Sequence, residues 1–290
     1  MSAEHTSSMD HFLGVPQPPI DSVVDPTVQL WVTVVMALVS TAGLVYALWD
    51  WRRSGRPIVL MLFLAGGFCM LVEPIVDVVG ACWFPAIGQW TIFAAFGRPL
   101  PLWLCLVYFV YFGIGIAVSW KFLERGLTRF GLWMLFLSAV LGDFVLEASL
   151  LHLDAYFYYG HQPLVLLEFP LWWGAVNGLI TVAAAAVVYQ LAPLLTGWQV
   201  LLIIPTTVAV SGFANFSAGW PSWTVINTEL SPVLTQLGGV TTFVLSGWFV
   251  YAIALIVTTD APFRLRIQAG SGPPSVAVGG AAYGQNRAAI

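Results

Sequence analysis

Residues 57–80 read PIVLMLFLAGGFCMLVEPIVDVVG, from Pro57 to Gly80. Two carboxylates, Glu73 and Asp77, are the only charges in this stretch. It exceeds the ~20 predominantly apolar residues a helix needs to cross the hydrocarbon core of a bilayer. Six further segments have the same character: Val28–Trp49, Leu100–Trp120, Gly131–Leu151, Leu164–Tyr189, Trp198–Phe216 and Val233–Thr258. The expected fold class is all-α, an integral membrane bundle of about seven transmembrane helices.

Composition leads to the same class. Charged residues make up 8% of the chain and hydrophobic ones 59%, where a soluble domain carries roughly 25% charged residues. Such a chain cannot clothe a soluble surface of normal polarity. That excludes a soluble enzyme, a nucleic-acid-binding domain and a disordered regulator. The net charge of -4 offers no basic surplus for nucleic acid. Three parts are expected: a polar, Pro-rich tail over 1–27, the helical membrane domain over 28–258, and a disordered cytoplasmic tail over 259–290 rich in Gly, Ala and Pro. The cell membrane is the expected location.

Positive charge orients the bundle. Arg52, Arg53 and Arg56 lie in the first connection, Lys121, Arg125 and Arg129 in the third, and Arg264 and Arg266 in the tail. The opposite side has Arg98 alone. The first and third connections and the C-terminus are therefore assigned to the cytoplasm, and the N-terminus to the outside, which needs an odd number of spans.

Carboxylates within spans are expensive unless they face the bundle interior or water, and so mark functional positions. Glu73 and Asp77 in the second span, and Asp143 and Glu147 in the fourth, are spaced i,i+4 and share one helix face each. At 1.5 Å per residue, Glu73 and Glu147 sit ~24 Å and Asp143 ~18 Å above the inner ends of their spans. Asn177 is placed ~20 Å below the outer end of the fifth span, whose start carries Glu168. Asn215 in the sixth span falls at similar height, and His152, His161 and Arg98 lie just above. The reading is a polar chamber in the outer half of the bilayer, with Glu168, His152, Tyr156, Tyr158, Asn177, Asn215 and Arg98 as candidate substrate contacts. Carboxyl groups so crowded cannot all carry charge, so acids stand beside carboxylates, as general acid–base chemistry requires. The plainer alternative is that they only hydrogen-bond helices together.

The outer loops are aromatic: Trp83, Phe84, Trp90, Phe93 and Phe96 over 81–99, DAYFYYGHQP over 154–163, and Trp220 and Trp223 beyond. These are membrane-interface anchors or a lid over the chamber. Cys69, Cys82 and Cys105 form no CxxC pair and read as free thiols, with Cys82–Cys105 the one conceivable bridge. The seventh span has no lysine for a retinal Schiff base, and no phosphate loop or dinucleotide fingerprint occurs. Asp143-Phe-Val-Leu-Glu147 is similar to the Asp-x-x-x-Asp element of membrane prenyltransferases, but only Arg98 is near to meet a diphosphate. Gly113-Ile-Gly115 and Gly174–Gly178 read as helix-packing contacts. No metal and no cofactor is expected.

Glu73-Pro74-Ile75-Val76-Asp77, then Gly142-Asp143-Phe144-Val145-Leu146-Glu147, then Asp154-Ala155-Tyr156-Phe157-Tyr158 and Glu168-Phe169-Pro170 follow one another in an order and spacing that resembles the avermectin-type spirocyclases, the AveC-like membrane proteins. The resemblance runs roughly from Pro57 to Tyr189. It implies a multi-pass membrane enzyme that turns a lipophilic polyketide dihydroxy-ketone into a spiroketal, in some members with dehydration, and it implies Glu73, Asp77, Asp143 and Glu147 as the acidic positions. The family pattern has Asp where this chain has Glu73, and Glu where it has Trp173; the second difference leaves the substrate open among lipophiles.

The expected function is a cofactor-free membrane cyclase or dehydratase acting on a lipophilic small molecule, with Asp143 and Glu147 as its catalytic pair supported by Glu73 and Asp77. Loss of water from an oxocarbenium-like or allylic centre needs an acid, an anion and exclusion of bulk water. The alternatives are a proton-coupled carrier of lipophiles and a non-catalytic lipid-binding protein. The expected partners are the substrate and membrane lipid.

Overall fold

In the computed structural model, which describes residues 15–262, 265–268 and 275–278, the chain is a multi-pass all-α membrane bundle. Among the described residues, seven helical spans are long and apolar enough to cross a bilayer: Pro26–Ser54, Ile58–Val79, Leu102–Glu124, Arg129–His152, Leu171–Leu194, Gly197–Ala218 and Pro232–Val257. The first is one helix, α1 (Pro26–Ser54). Asp25 caps its start by accepting from the Thr27 amide, Pro26 opens its first turn, and Gly55 at φ 70 closes it with its amide on the Trp51 carbonyl. Its last turn carries Arg52 and Arg53, which extend it beyond the expected Trp49.

Two spans are interrupted near the carboxylates. The second consists of α2 (Ile58–Phe68), a 3-10 turn (Cys69–Val72) and α3 (Glu73–Val79). Pro74 lacks an amide proton and cannot continue the α-helical ladder, so the turn tightens just before Glu73. The third consists of α4 (Leu102–Tyr108), a π turn (Phe109–Ile114) and α5 (Gly115–Glu124). The remaining spans are built on α6 (Arg129–His152), α7 (Leu171–Leu191), α8 (Ile203–Ala218) and α10 (Pro232–Val257), with the short α9 (Trp220–Ile226) between the last two.

Helix α7 is the hub and packs on α5, α6, α8 and α10. Of its apolar stretch 83% is buried, against 22% for α6 at the periphery. Small residues set these distances, since lipid supplies no hydrophobic drive between helices and close backbone approach must supply contact instead. Gly174 and Gly178 lie against Val140 and Phe136 of α6, and Gly113 lies against the Phe63 backbone of α2. Both were expected as packing contacts.

One end of the bundle carries Arg52, Arg53, Arg56, Lys121, Arg125 and Arg129, and is here the basic end. Lys121 meets Asp50 at 2.5 Å, Arg56 meets Glu124 at 3.7 Å, and Arg129 meets Asp260 at 3.2 Å. The Thr259 amide bonds the Leu127 carbonyl, so the tail expected to be disordered from 259 begins fixed to the α5–α6 turn. It also contains an antiparallel strand pair, Leu265–Gln268 with Ser275–Val278. Residues 1–14, 263–264, 269–274 and 279–290, with Arg264 and most of both tails, lie outside the described residues.

The other end is roofed by short antiparallel pairs. β1 (Cys82–Trp83) pairs with β4 (Phe157–Tyr158), β2 (Thr91–Ala95) with β3 (Arg98–Pro101), and β5 (Val165–Leu166) with β6 (Phe169–Pro170). Phe96 and Gly97, both at positive φ, make the tight β2–β3 turn. The roof divides its aromatics. Trp83 and Phe84 are buried, with Phe84 stacked on Tyr156 at 5.1 Å, while Trp90 and Phe96 are exposed. The loop thus has both a covering and an outward-facing part. All three cysteines are free.

Candidate functional site

Glu73, Asp77, Asp143 and Glu147 line one cleft under the roof, between the second, third, fourth and fifth spans. Tyr108, Tyr111, Tyr156, Tyr158, Trp173 and Asn177 line it too, with an apolar side made by Leu104, Val107, Leu146 and Leu150. The i,i+4 spacing turns both members of each pair to the same side. The cleft is narrow: its cavity volume is about 40 Å³, space for a few waters at most.

Each carboxyl has its own surroundings. The Tyr108 hydroxyl donates to Glu73 Oε2. Tyr156 and Tyr158 both donate to Glu147 Oε2, Tyr158 at 2.7 Å. Asn177 Nδ2 donates to Asp143 Oδ2 at 2.9 Å. Asp77 is 1% exposed. It lies beside the Cys82 thiol and within reach of the Arg98 charge, and its Oδ2 has no partner. The four are close enough to act on one another electrostatically: Glu73 on Asp77 and Asp143, and Glu147 on Glu73, Asp77 and Asp143. Burial, reinforced by the Glu147 charge, pushes the Tyr156 and Tyr158 phenols well above the usual tyrosine range. They remain proton donors at any ordinary pH. Burial and the Asp77 carboxyl likewise push the Cys82 thiol far up, so it is no nucleophile.

Seven of the eleven expected site residues meet here: Glu73, Asp77, Asp143, Glu147, Tyr156, Tyr158 and Asn177. Four do not line the cleft. The fifth span begins at Leu171 rather than Leu164, because Val165–Leu166 and Phe169–Pro170 fold back as a hairpin. Glu168 therefore stands exposed in the hairpin turn at φ 66. The later start also lifts Asn177 to ~9 Å below the end of its helix, level with the acids. His152 is exposed at the end of α6, on an outer groove shared with Glu168. Arg98 is buried in the roof, 5.3 Å over the Trp83 ring and 2.5 Å from the Tyr159 hydroxyl, to which it donates. Asn215 is buried on α8, its amide on the Ser211 carbonyl of the same helix. Helix α8 packs on α2 and α7, so the fourth wall of the cleft comes from the third span and not the sixth.

Tyr108, Tyr111, Cys82, Trp103 and Trp173 lie outside the expected site residues, and Phe84, expected as an interface anchor or part of a lid, lines the cleft as well. The Tyr108-Phe-Val-Tyr111 run was the available signal: two phenols placed, like the acids, within an apolar span. Tyr111 donates to the Ala139 carbonyl of α6 at 3.0 Å and closes the deep end of the cleft. Among the described residues no three His, Cys, Asp or Glu side chains converge to hold a metal ion.

No protein-family profile, curated protein or solved structure matches this chain.

Proposed function

We propose that this chain is a membrane acid–base enzyme that removes water from a hydroxylated lipophile, by cyclisation or by dehydration, in the cleft between the second and fifth spans. The observation that carries this reading is the unequal bonding of the two carboxyls on α6. Glu147 Oε2 accepts hydrogen bonds from two phenols. Asp143 accepts one from an amide at Oδ2. Two donors favour the ionised form more than one does, so on one helix face, about one turn apart, Glu147 is the better-supported anion and Asp143 the readier acid.

In a dehydration, the Asp143 proton passes to the substrate hydroxyl, the carbon–oxygen bond breaks and water leaves. A proton on the neighbouring carbon goes to Glu147, and its bonding pair forms the double bond. In a cyclisation, a second hydroxyl of the substrate attacks the cationic carbon and gives its proton to Glu147. Both routes release one water and move one proton from Asp143 to Glu147, and proton exchange between the two restores the starting state. The aromatic roof excludes bulk water, which strengthens each of these contacts. The resemblance to spirocyclases agrees with this reading, with a lipophile as substrate, the cell membrane as location and the roofed end outside.

The narrow cleft also suits a second reading, a proton-coupled carrier whose carboxyls bind only protons and water in this state. One experiment separates the two. Purified protein in liposomes is given a panel of lipophilic hydroxy-ketones, and the extracts are weighed by mass spectrometry while lumenal pH is followed. A product lighter by one water supports the enzyme. Acidification driven by the lipophile, with no new product, supports the carrier.

A further inference from the structure

Two fully buried polar atoms among the residues lining the cleft have no hydrogen-bond partner: Asp77 Oδ2 and Trp173 Nε1. Their residues are 1% and 5% exposed. Trp173 is fixed in place, stacked on Trp172 at 4.3 Å and with its ring edge over Gly80, where a Cβ would stand 2.4 Å from the indole. Gly80 follows Asp77 by three residues, so the indole lies over the end of the helix that carries the carboxyl. The carboxyl oxygen accepts when ionised and donates when it holds the proton, whereas the indole can only donate. Each is the kind of buried group that is expensive to leave unmatched.

The chemistry of the missing match is restrictive. An ether, ketone or carboxylate accepts from Trp173 and meets Asp77 Oδ2 only where that oxygen holds the proton. An ammonium meets the ionised carboxyl and offers nothing to the indole. A hydroxyl matches the indole and the carboxyl in either state, and it is the smallest organic group that does, which matters in a space of about 40 Å³. The adjoining wall of Leu104, Val107, Leu146 and Leu150 is apolar. We propose that Asp77 and Trp173 anchor a hydroxyl group of a lipophilic alcohol, the indole donating to its oxygen and its proton bonding the Asp77 carboxyl, while the apolar body lies along the leucine and valine wall. This rests on reading the cleft as a ligand site, and it assigns to Trp173 a binding role. Asp77 stands on the second span, Trp173 on the fifth and Asp143 on the fourth; the hydroxyl held here is the retained one and positions the one that is lost.

The test uses decanol, decyl methyl ether and decane as probes, with binding to the purified full chain followed by native mass spectrometry. The wild type is expected to bind decanol about tenfold more tightly than the ether, the loss of one buried hydrogen bond. Trp173→Phe should weaken both probes about tenfold. Asp77→Leu should bring decanol and ether to equal affinity, and Asp77→Asn, which keeps an acceptor oxygen, should restore a preference for decanol. Equal binding of decanol and ether by the wild type overturns the anchor, as does absence of saturable binding, which would mean that the pair holds water alone. The wild-type ratio stands even where a variant fails to fold. If the ratio holds and no hydroxylated lipophile yields product, the anchor survives and the acid–base reading falls. If Asp143→Asn abolishes turnover while the ratio is one, the reverse is true.

Discussion

Gly66 of α2 and Gly113 of the π turn meet backbone to backbone: a Cβ on Gly66 would stand 2.1 Å from the Gly113 amide nitrogen and 2.3 Å from its Cα. No side chain intervenes that could yield. This contact brings the second span to the third and hence Glu73 to the Tyr108 hydroxyl.

Gly66→Ala is therefore expected to push the two spans apart. Overpacking of this kind typically destabilises by ~1–3 kcal/mol, and with backbone as the obstacle the upper end is expected. A melting curve in detergent checks this. Gly142, with open space around its Cβ position, is the control: Gly142→Ala should melt within a degree or two of the wild type.

Asp143→Asn keeps the shape of the side chain and can still accept from Asn177, but holds no transferable proton. Turnover of a confirmed substrate should fall by ~10²–10⁴, with expression and melting temperature nearly unchanged. Glu147→Gln should also lose turnover, and Glu73→Gln should lose less. Full activity in Asp143→Asn removes that residue from the mechanism, and collapse of its fold would make the carboxyls helix ties and nothing more.

Tyr108→Phe removes the donor to Glu73 without changing the ring. The carboxyl is left underbonded within the bundle, and stability should drop by ~1–3 kcal/mol. The drop should shrink in Tyr108→Phe/Glu73→Leu, where neither partner is left unmatched. A double-mutant cycle of melting temperatures reads the coupling directly.

The roof phenols predict an alkaline limit. Burial and the Glu147 charge hold Tyr156 and Tyr158 above the usual tyrosine value of about 10. The unfolded chain then loses those protons first, so the stability they confer is complete below pH ~10 and is lost as pH rises through the higher folded values. Melting temperature should be flat with respect to these groups below pH 10 and fall above it. The fall should be shallower in Tyr156→Phe/Tyr158→Phe.

Charge asymmetry predicts that reporters fused after Gly55 and after Gly126 both read cytoplasmic. An external signal at either point would invert the bundle and put the cleft in the inner leaflet.

The spans were legible because length and apolarity are local properties, and a carboxylate in such a run announces itself. The i,i+4 pairs also stated which residues share a face. What the sequence could not show was which faces meet. Asn215 and Tyr108 lie at comparable depth, and the choice between them depends on α8 packing behind α2 while the third span closes against it through Gly66 and Gly113. Hydropathy starts the fifth span too early because Leu164, Val165, Leu166 and Leu167 are as apolar as a helix; their hairpin depends on the positive φ values at Leu164, Leu167 and Glu168, which no hydropathy pattern records. Arg98 reads from the sequence as a contact for the substrate; its ring and hydroxyl partners, Trp83 and Tyr159, come from two loops brought together by the β1–β4 pairing and by Gln89 and Gln162.

The third span binds at both ends: Tyr108 to Glu73 above the π turn, and Lys121 to Asp50 below it. Each residue of an α-helix advances the azimuth by ~100°, so the span behaves as a screw whose two ends must both stop at the correct angle. The wide π turn at Phe109–Ile114 advances only ~80° per residue, so its six residues cover the angle of about five in a regular helix and absorb one residue without moving either end. Delete one residue within it and the helix closes into a regular ladder with both ends still in phase. Delete one between the turn and either anchor and the ends part by ~100°, so that the chain keeps its lysine on the aspartate or its tyrosine on the glutamate, and not both. A single deletion should thus be better tolerated within these six residues than elsewhere between Tyr108 and Lys121.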